Sequence, residues 1–233
     1  VGLNKVASQF KSDMKDITGM ELEIVNGESG DGDDILIESL PEDTYDTGEE
    51  GYLLKADDSG IHISSNGYTG CLYGTKTLEQ VYYTQDGTYY LPKGVTRDFS
   101  QYEVRGVMID IARVPYRLDA LKDIVKTFSF YKINEVHFHL NDNRHSGATT
   151  GREDYNNWKN YKGMFRLESK TFPSLKTDPQ NNTYYNDENG AYGGEPQYTA
   201  EEYKDLQQFA MDCGMNPISE IDAPGHSLLF NRY

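Results

Sequence analysis

The stretch 104–111, VRGVMIDI, is an almost continuous apolar run. Such a run suits a strand buried on both faces of a parallel sheet. After it, Leu118, Leu121, Ile124, Val125 and Phe128 fall on one helical stripe. Residues 136–140 (VHFHL) supply a second strand and 215–221 (MNPISEI) a third. Between these two, Thr199-Ala200-Glu201-Glu202 has the form of a capping box, in which the Thr hydroxyl and the Glu carboxylate satisfy free amides at a helix start. Tyr203, Leu206, Ala210 and Cys213 give that helix its apolar face. The order is strand, helix, strand, long loop, helix, strand. Alternation of this kind predicts parallel strands joined by right-handed crossovers. It fits a doubly wound sheet or the first part of an eight-stranded barrel. A full (β/α)8 barrel takes about 250 residues, so a barrel that starts near Val104 would be incomplete in this chain.

Upstream the pattern is different. Leu3, Val6, Phe10, Met14 and Ile17 recur at helical spacing, and Gly19 is a stop signal. Short runs of strand character follow at 21–25, 35–39, 52–56 and 61–64, separated by Gly, Asp and Pro. Residues 68–83 predict a second helix with Leu72, Thr75, Leu78 and Tyr82 on one face. The segment 84–101 is polar and turn-rich, as a linker would be. The expected organisation is α/β: a small α+β domain over 1–98, then the first three strands of a barrel domain over 99–233.

Composition narrows the function. The chain has 233 residues, a formal net charge of -16 and 36% hydrophobic residues, enough for one large domain or two small ones. Its 19 Tyr and 9 Phe supply core material, so a folded protein is expected rather than an acidic disordered one. The negative charge excludes nucleic acid held through its phosphates and disfavours anionic membranes. A neutral partner such as a sugar meets no such repulsion. No run of 18 apolar residues predicts a membrane helix. Val1 is not a start methionine, which suits a mature or recombinant segment whose targeting sequence has been removed. Cys71 and Cys213, far apart, are expected to be core thiols rather than a disulfide.

Each predicted barrel strand ends in residues capable of chemistry. The first ends in Asp110 and Arg113, the second in His137, His139 and Asp142, and the third in Glu220 and Asp222, with His226 soon after. Sites in parallel α/β folds lie at the carboxyl ends of strands. Taken singly, Arg113 suits a surface ion pair, Asp142 a turn, and His137 or His139 a hydrogen-bonded core position. Three successive ends make the better signal. A zinc site built on His137, His139, His226 and an Asp is one alternative. The acids at 31–34 lack the spacing of a calcium loop and predict a solvated turn. Asn181-Asn182-Thr183 is a glycosylation sequon.

Five motifs occur in order: RGVMIDIAR (105–113), KINEVHFHLND (132–142), FRLES (165–169), YTAEEYKDL (198–206) and EIDAPGHS (220–227). Together they resemble glycoside hydrolase family 20, the β-N-acetylhexosaminidases. The stretch GYTGCLYGTKTLEQV (67–81) looks like the end of the small domain that precedes the barrel in that family.

The resemblance implies a retaining glycosidase that removes terminal β-linked N-acetylglucosamine or N-acetylgalactosamine from a glycan or glycoconjugate. The nucleophile would be the substrate's own 2-acetamido oxygen, an exception to the two-carboxylate scheme. It implies no cofactor and no metal, and an extracellular or cell-surface, bacterial-type secreted enzyme. Arg113 would bind the sugar's 3- and 4-hydroxyls through its planar fork. Asp142 and His226 would form a relay behind a general-acid Glu, with Asp222 beside it. Asp110 and His139 would be structural hydrogen-bonding partners. The family's adjacent Asp-Glu acid pair has no counterpart here, because Asp187-Glu188 lies in a polar loop that does not fit the motif. Residues 1–233 alone are therefore expected to be inactive, with the remainder of the barrel needed.

There are departures from the family pattern. Asn143 stands where a second acid often follows Asp142, and Val114-Pro115 follow Arg113 where an aromatic or His is common. An extra segment before FRLES carries Tyr155, Trp158 and Tyr161, and Trp158 is the candidate for stacking on a sugar ring. With HLNDN, that segment is similar to the lacto-N-biosidase branch, which releases a disaccharide. A noncatalytic carbohydrate-binding module is the remaining alternative.

Overall fold

The computed structural model describes residues 2–27, 32, 34–145, 161–175, 177 and 197–230. The chain divides into two compact units, Val1–Val104 with Ser129–Lys132, and Arg105–Phe128 with Ile133–Tyr233. Among the described residues no helix is long and apolar enough to cross a membrane.

In the first unit, α1 (Gly2–Thr18) buries Val6, Phe10 and Met14 and ends at Gly19. The φ of 75° at Gly19 is left-handed, a conformation that favours glycine. Strands β1 (Ile35–Ser39), β2 (Tyr52–Asp57) and β3 (Gly60–Ser65) are followed by α2 (Tyr68–Val81), the hairpin of β4 (Tyr83–Gln85) and β5 (Thr88–Tyr90), and β6 (Gly94–Asp98). The sheet order is β1-β3-β2-β6, parallel only between β1 and β3. Phe10 and Met14 of α1 and Tyr73 and Leu78 of α2 share one core with Tyr52, Leu54 and Ile63 of the sheet. Gly70 allows α2 its close approach, because a Cβ there would lie 2.3 Å from the Gly51 carbonyl oxygen.

Two expectations fail in this unit. Residues 21–25 form no strand: Met20 and Leu22 pack on the core, but Val25 is 78% exposed and the segment pairs with no strand among the described residues. Strand propensity without a neighbour to pair with is a weak preference. The expected linker 84–101 instead holds the hairpin and β6, which pairs with the open side of β2. An edge strand is held by backbone bonds and tolerates polar side chains, so its sequence carries no apolar alternation.

The second unit is strand and helix in alternation. It contains β7 (Gly106–Asp110), α3 (Leu118–Phe130), β8 (Glu135–His139), β9 (Asn141–His145), β10 (Tyr161–Phe165), α4 (Ala200–Asp212) and β11 (Asn216–Glu220). Strands β7 and β11 flank β8 in a parallel sheet. The expected capping box begins α4: the Glu202 amide donates to Thr199 Oγ1 at 3.1 Å, and the Thr199 amide donates to Glu202 Oε2 at 2.8 Å. Leu121 and Val125 of α3 and Tyr203, Leu206 and Ala210 of α4 meet Ile109, Val136 and Phe138 of the sheet in one core.

Strand β7 is not buried on both faces, contrary to the expectation for 104–111, since Met108 is 56% exposed. Successive side chains alternate across a strand. The helices cover the face of Ile109, Val136 and Phe138, whereas Met108, His137 and Ile218 share a row on the opposite face. Both cysteines are buried and lie in different units.

Candidate active site

The parallel register brings three polar side chains into one row. Asp110, His139 and Glu220, each the last residue of its strand, are direct neighbours across the sheet. Beyond the row, the turn after β7 carries Arg113. Asp110 Oδ1 accepts from the amides of Ala112 and Arg113 at 3.1 and 2.9 Å, which folds the turn back on the strand end. Arg166, itself buried, donates from Nε to the Ala112 carbonyl at 2.9 Å and fixes the same turn from β10's side. The Arg113 guanidinium then reaches Asp110 Oδ2 through Nη1 and Asp142 Oδ2 through Nη2, both at 2.6 Å. Its side chain stays 46% exposed.

Asp142 is the centre of the cluster and is 1% exposed. Its Oδ2 also accepts from His139 Nε2 at 2.6 Å, and its Oδ1 faces His226 Nδ1 at 2.8 Å and the Asn143 amide at 2.5 Å. Burial alone would raise its pKa. The Asn143 amide, His139, His226 and Arg113 outweigh burial and hold the carboxyl below its usual range. An ionised Asp142 fixes His226 with its proton on Nδ1, leaving Nε2 for a reacting group.

Position 226 depends on two asparagines. Asn141 Oδ1 accepts from the Asp222 amide at 2.7 Å, and its Nδ2 donates to the carbonyls of Asp222 and His226 at 3.1 and 3.0 Å. Asn143 Oδ1 accepts from the Leu228 amide at 2.9 Å. The loop between them contains a cis Ala223–Pro224 bond and a left-handed His226, with φ 52°. The two amide side chains span this irregular loop and hold the imidazole against Asp142.

Of the candidates, Arg113, Asp142 and His226 are in direct contact through Asp142. Asp222 joins the cluster from the side of Glu220: single ligand atoms of His139, Glu220 and Asp222 come within 4.8 Å of one another. Asp110 and His139 are direct partners of Arg113 and Asp142. Trp158, Tyr155, the sequon at 181–183, Asp187, Glu188, Asp31 and Asp33 lie outside the described residues. The sequence marked Glu220 as a strand-end acid without a role, and Asn141, Asn143 and Arg166 were not among its site residues. Aligning the three strand ends would have found Glu220, because it shares a register row with His139.

The zinc alternative does not fit this geometry. Two groups of metal-capable atoms occur among the described residues, Asp110/His139/Asp142 and His139/Glu220/Asp222, and neither includes His137 or His226. A carboxylate has about four lone-pair sites, and those of Asp142 face Arg113, His139, His226 and the Asn143 amide. The place a cation would take beside Asp110 and Asp142 is held by a guanidinium.

Sequence comparison then assigns the family. The signature described as "Glycosyl hydrolase family 20, domain 2" matches residues 2–99, and "Glycosyl hydrolase family 20, catalytic domain" matches 102–146 and 161–232. The chain belongs to glycosyl hydrolase family 20. Among family 20 relatives, a beta-hexosaminidase of Vibrio furnissii is 29% identical over 210 residues, covering 83% of this chain and 29% of that protein. A beta-hexosaminidase of Akkermansia muciniphila is 31% identical over 179 residues, covering 76% of this chain and 32% of that protein. The chain thus spans about a third of the length of these relatives. In fold, the family 20 exo beta-N-acetylglucosaminidase of Vibrio harveyi superposes with a TM-score of 0.74 at 24% identity, covering 97% of this chain and 32% of that one. A mutant Streptomyces plicatus beta-hexosaminidase in complex with its product GlcNAc gives 0.72 at 24% identity, covering 97% and 41%.

The acid limb of stability follows from Asp142 and Glu220. For Glu220, burial raises the pKa, but the close contacts with His139 and Asp222 and the two histidine charges together bring it below the usual value. In the unfolded chain both groups titrate near pH 4. Their contribution is present above that pH and is lost as pH falls through the lower folded values. The melting-temperature gap between wild type and Glu220→Gln is expected to shrink as pH drops from about 5 to about 3. A gap that stays constant would contradict it.

Proposed function

We propose that the whole protein carrying residues 1–233 is a β-N-acetylhexosaminidase that releases terminal β-linked N-acetylhexosamine with retention. The carrying observation is Asp142, buried and ionised, bound at once to Arg113 and to the half-exposed His226. Such a pair orients a histidine and tunes the proton affinity of a neighbouring acid. On this reading the substrate's acetamido carbonyl oxygen attacks the anomeric carbon as the glycosidic oxygen takes a proton from the general-acid Glu. Water then opens the oxazolinium ring, so two inversions give retention. On this reading that Glu would be supplied by another part of the whole protein. His226 Nε2 would bond to it, Asp222 would stand beside the pair, and the half-exposed Arg113 guanidinium would bind the sugar's hydroxyls.

The test is turnover of a chromogenic N-acetylglucosaminide by the whole protein, with the product anomer followed by NMR. A β-anomer formed first supports the proposal, and an inverted product or no turnover overturns it. Cleavage of a chromogenic lacto-N-bioside in preference would assign disaccharide release instead. His226→Ala is expected to lower kcat about 10²- to 10³-fold and to change KM less. A pure KM effect would remove His226 from the relay.

A further inference from the structure

The relay does not stop at Asp142. Imidazoles and carboxylates alternate through five residues: His226 Nδ1 to Asp142 Oδ1 at 2.8 Å, Asp142 Oδ2 to His139 Nε2 at 2.6 Å, His139 Nδ1 to Glu220 Oε1 at 2.9 Å, and Glu220 Oε2 to His137 Nε2 at 2.6 Å. The ends are the most open, with the His226 and His137 side chains 47% and 36% exposed against 24% for Glu220. We propose that His139 is a doubly protonated imidazolium held between Asp142 and Glu220, and that His139 and Glu220 are positioning residues which keep Asp142 ionised behind His226. The inference deepens the hexosaminidase proposal and rests on it for its kinetic consequence alone.

Charge balance carries it. Four carboxylates face or neighbour His139: Asp110 from β7, Asp142 from β9, and Glu220 and Asp222 from β11 and its loop. His137 on β8 and His226 on the loop are the other titratable neighbours. Arg113 is the fixed cation of the group. Clustered carboxylates with one guanidinium favour a second positive charge among them, because an uncompensated buried carboxylate is costly. His139 is 5% exposed and lies between two of the acids. Burial favours its neutral form, yet Asp142 and Glu220 outweigh burial and raise its pKa above the ordinary histidine value.

The two sides of His139 differ. The Nε2 contact with Asp142 is a hydrogen bond. Nδ1 lies 2.9 Å from Glu220 but makes no aligned hydrogen bond, and the same holds for His137 Nε2. Glu220 therefore acts on His139 through its close contact at Nδ1 and its negative charge together. Removing the charge while keeping the shape, as Glu220→Gln does, should move a titration and leave the ring in place. A purely structural role for Glu220 would not produce that result.

The experiment is an NMR titration of the histidine-labelled whole protein. The His139 signal is identified by its absence from His139→Gln. It is expected to titrate above pH 6.5, and its midpoint should fall by about one pH unit in Glu220→Gln. In parallel, the alkaline limb of the kcat profile should move down by the same amount while KM stays within about two-fold. A His139 midpoint at or below 6.5 in the wild type overturns the inference, and this reading does not require Glu220→Gln to fold. A midpoint unmoved by Glu220→Gln overturns the role of Glu220. A raised midpoint in a protein without hexosaminidase turnover would sink the proposed function and leave the ion chain standing.

Discussion

Replacing Asp142 by Asn in the whole protein is expected to lower kcat by about 10³- to 10⁴-fold and to destabilise the fold by about 3–5 kcal/mol. Both effects come from one side chain. The carboxylate is 1% exposed and takes donors on each oxygen: Arg113 and His139 on one, His226 and the Asn143 amide on the other. An amide has the same shape but presents an NH₂ where one of these pairs needs an acceptor. Placed toward Oδ1, the NH₂ drives His226 to give up its Nδ1 proton and take the wrong tautomer. Placed toward Oδ2, it opposes the Arg113 guanidinium. Either way the half-exposed Arg113 is left with Asp110 alone and the buried His139 loses its ionised partner, and losing one partner of a buried pair costs far more than the pair itself contributes. The measurements are kcat and KM on a chromogenic N-acetylglucosaminide, and thermal melting. A variant within ten-fold of wild-type kcat would show that Asp142 does not orient the acid relay.

How far the sequence led can be judged from particular residues. Helices α3 and α4 and the three parallel strands were readable because their apolar periods and the Thr199/Glu202 box encode local structure directly. Strand β6 was not, because Val95, Thr96 and Arg97 owe their strand geometry to the free edge of β2, which is remote in sequence. The reverse holds for 21–25, which has strand composition and pairs with no strand among the described residues. In the site, Asp142 and His226 are 84 residues apart and were joined only through the family resemblance. Glu220 was visible as a strand-end acid, but its place beside His139 is a matter of register. Asn141 drew no reading of its own, and Asn143 stood out only as a departure from the family pattern. Their role appears only when the loop after β11 is laid against β9.

That same loop makes Gly163→Ala the second large effect, although Gly163 has no side chain of its own to offer the site. Gly163 lies on β10 opposite Asn143 of β9. A Cβ there would lie 2.5 Å from the Leu229 amide nitrogen, 2.7 Å from its Cβ and 2.8 Å from its Cα. The obstacle is backbone, and Leu229 is 8% exposed, so no flexible side chain can move aside. The φ of Gly163 is not left-handed, so alanine meets a shortage of space and not a conformational penalty. Relief requires Leu228 and Leu229 to move off the ribbon, which stretches the Asn143 to Leu228 bond and carries His226, two residues earlier, away from Asp142. Overpacking of this kind costs about 1–3 kcal/mol. A displacement of about 1 Å at a catalytic group can cost about 10²-fold in rate. Gly163→Ala should therefore lower the melting temperature and reduce kcat by at least about ten-fold. Gly94→Ala, where a Cβ meets nothing within 4 Å, serves as the control and should stay within about 0.5 kcal/mol of wild type. Unchanged kcat and stability in Gly163→Ala would mean that the loop does not need its seat on β10 to hold His226.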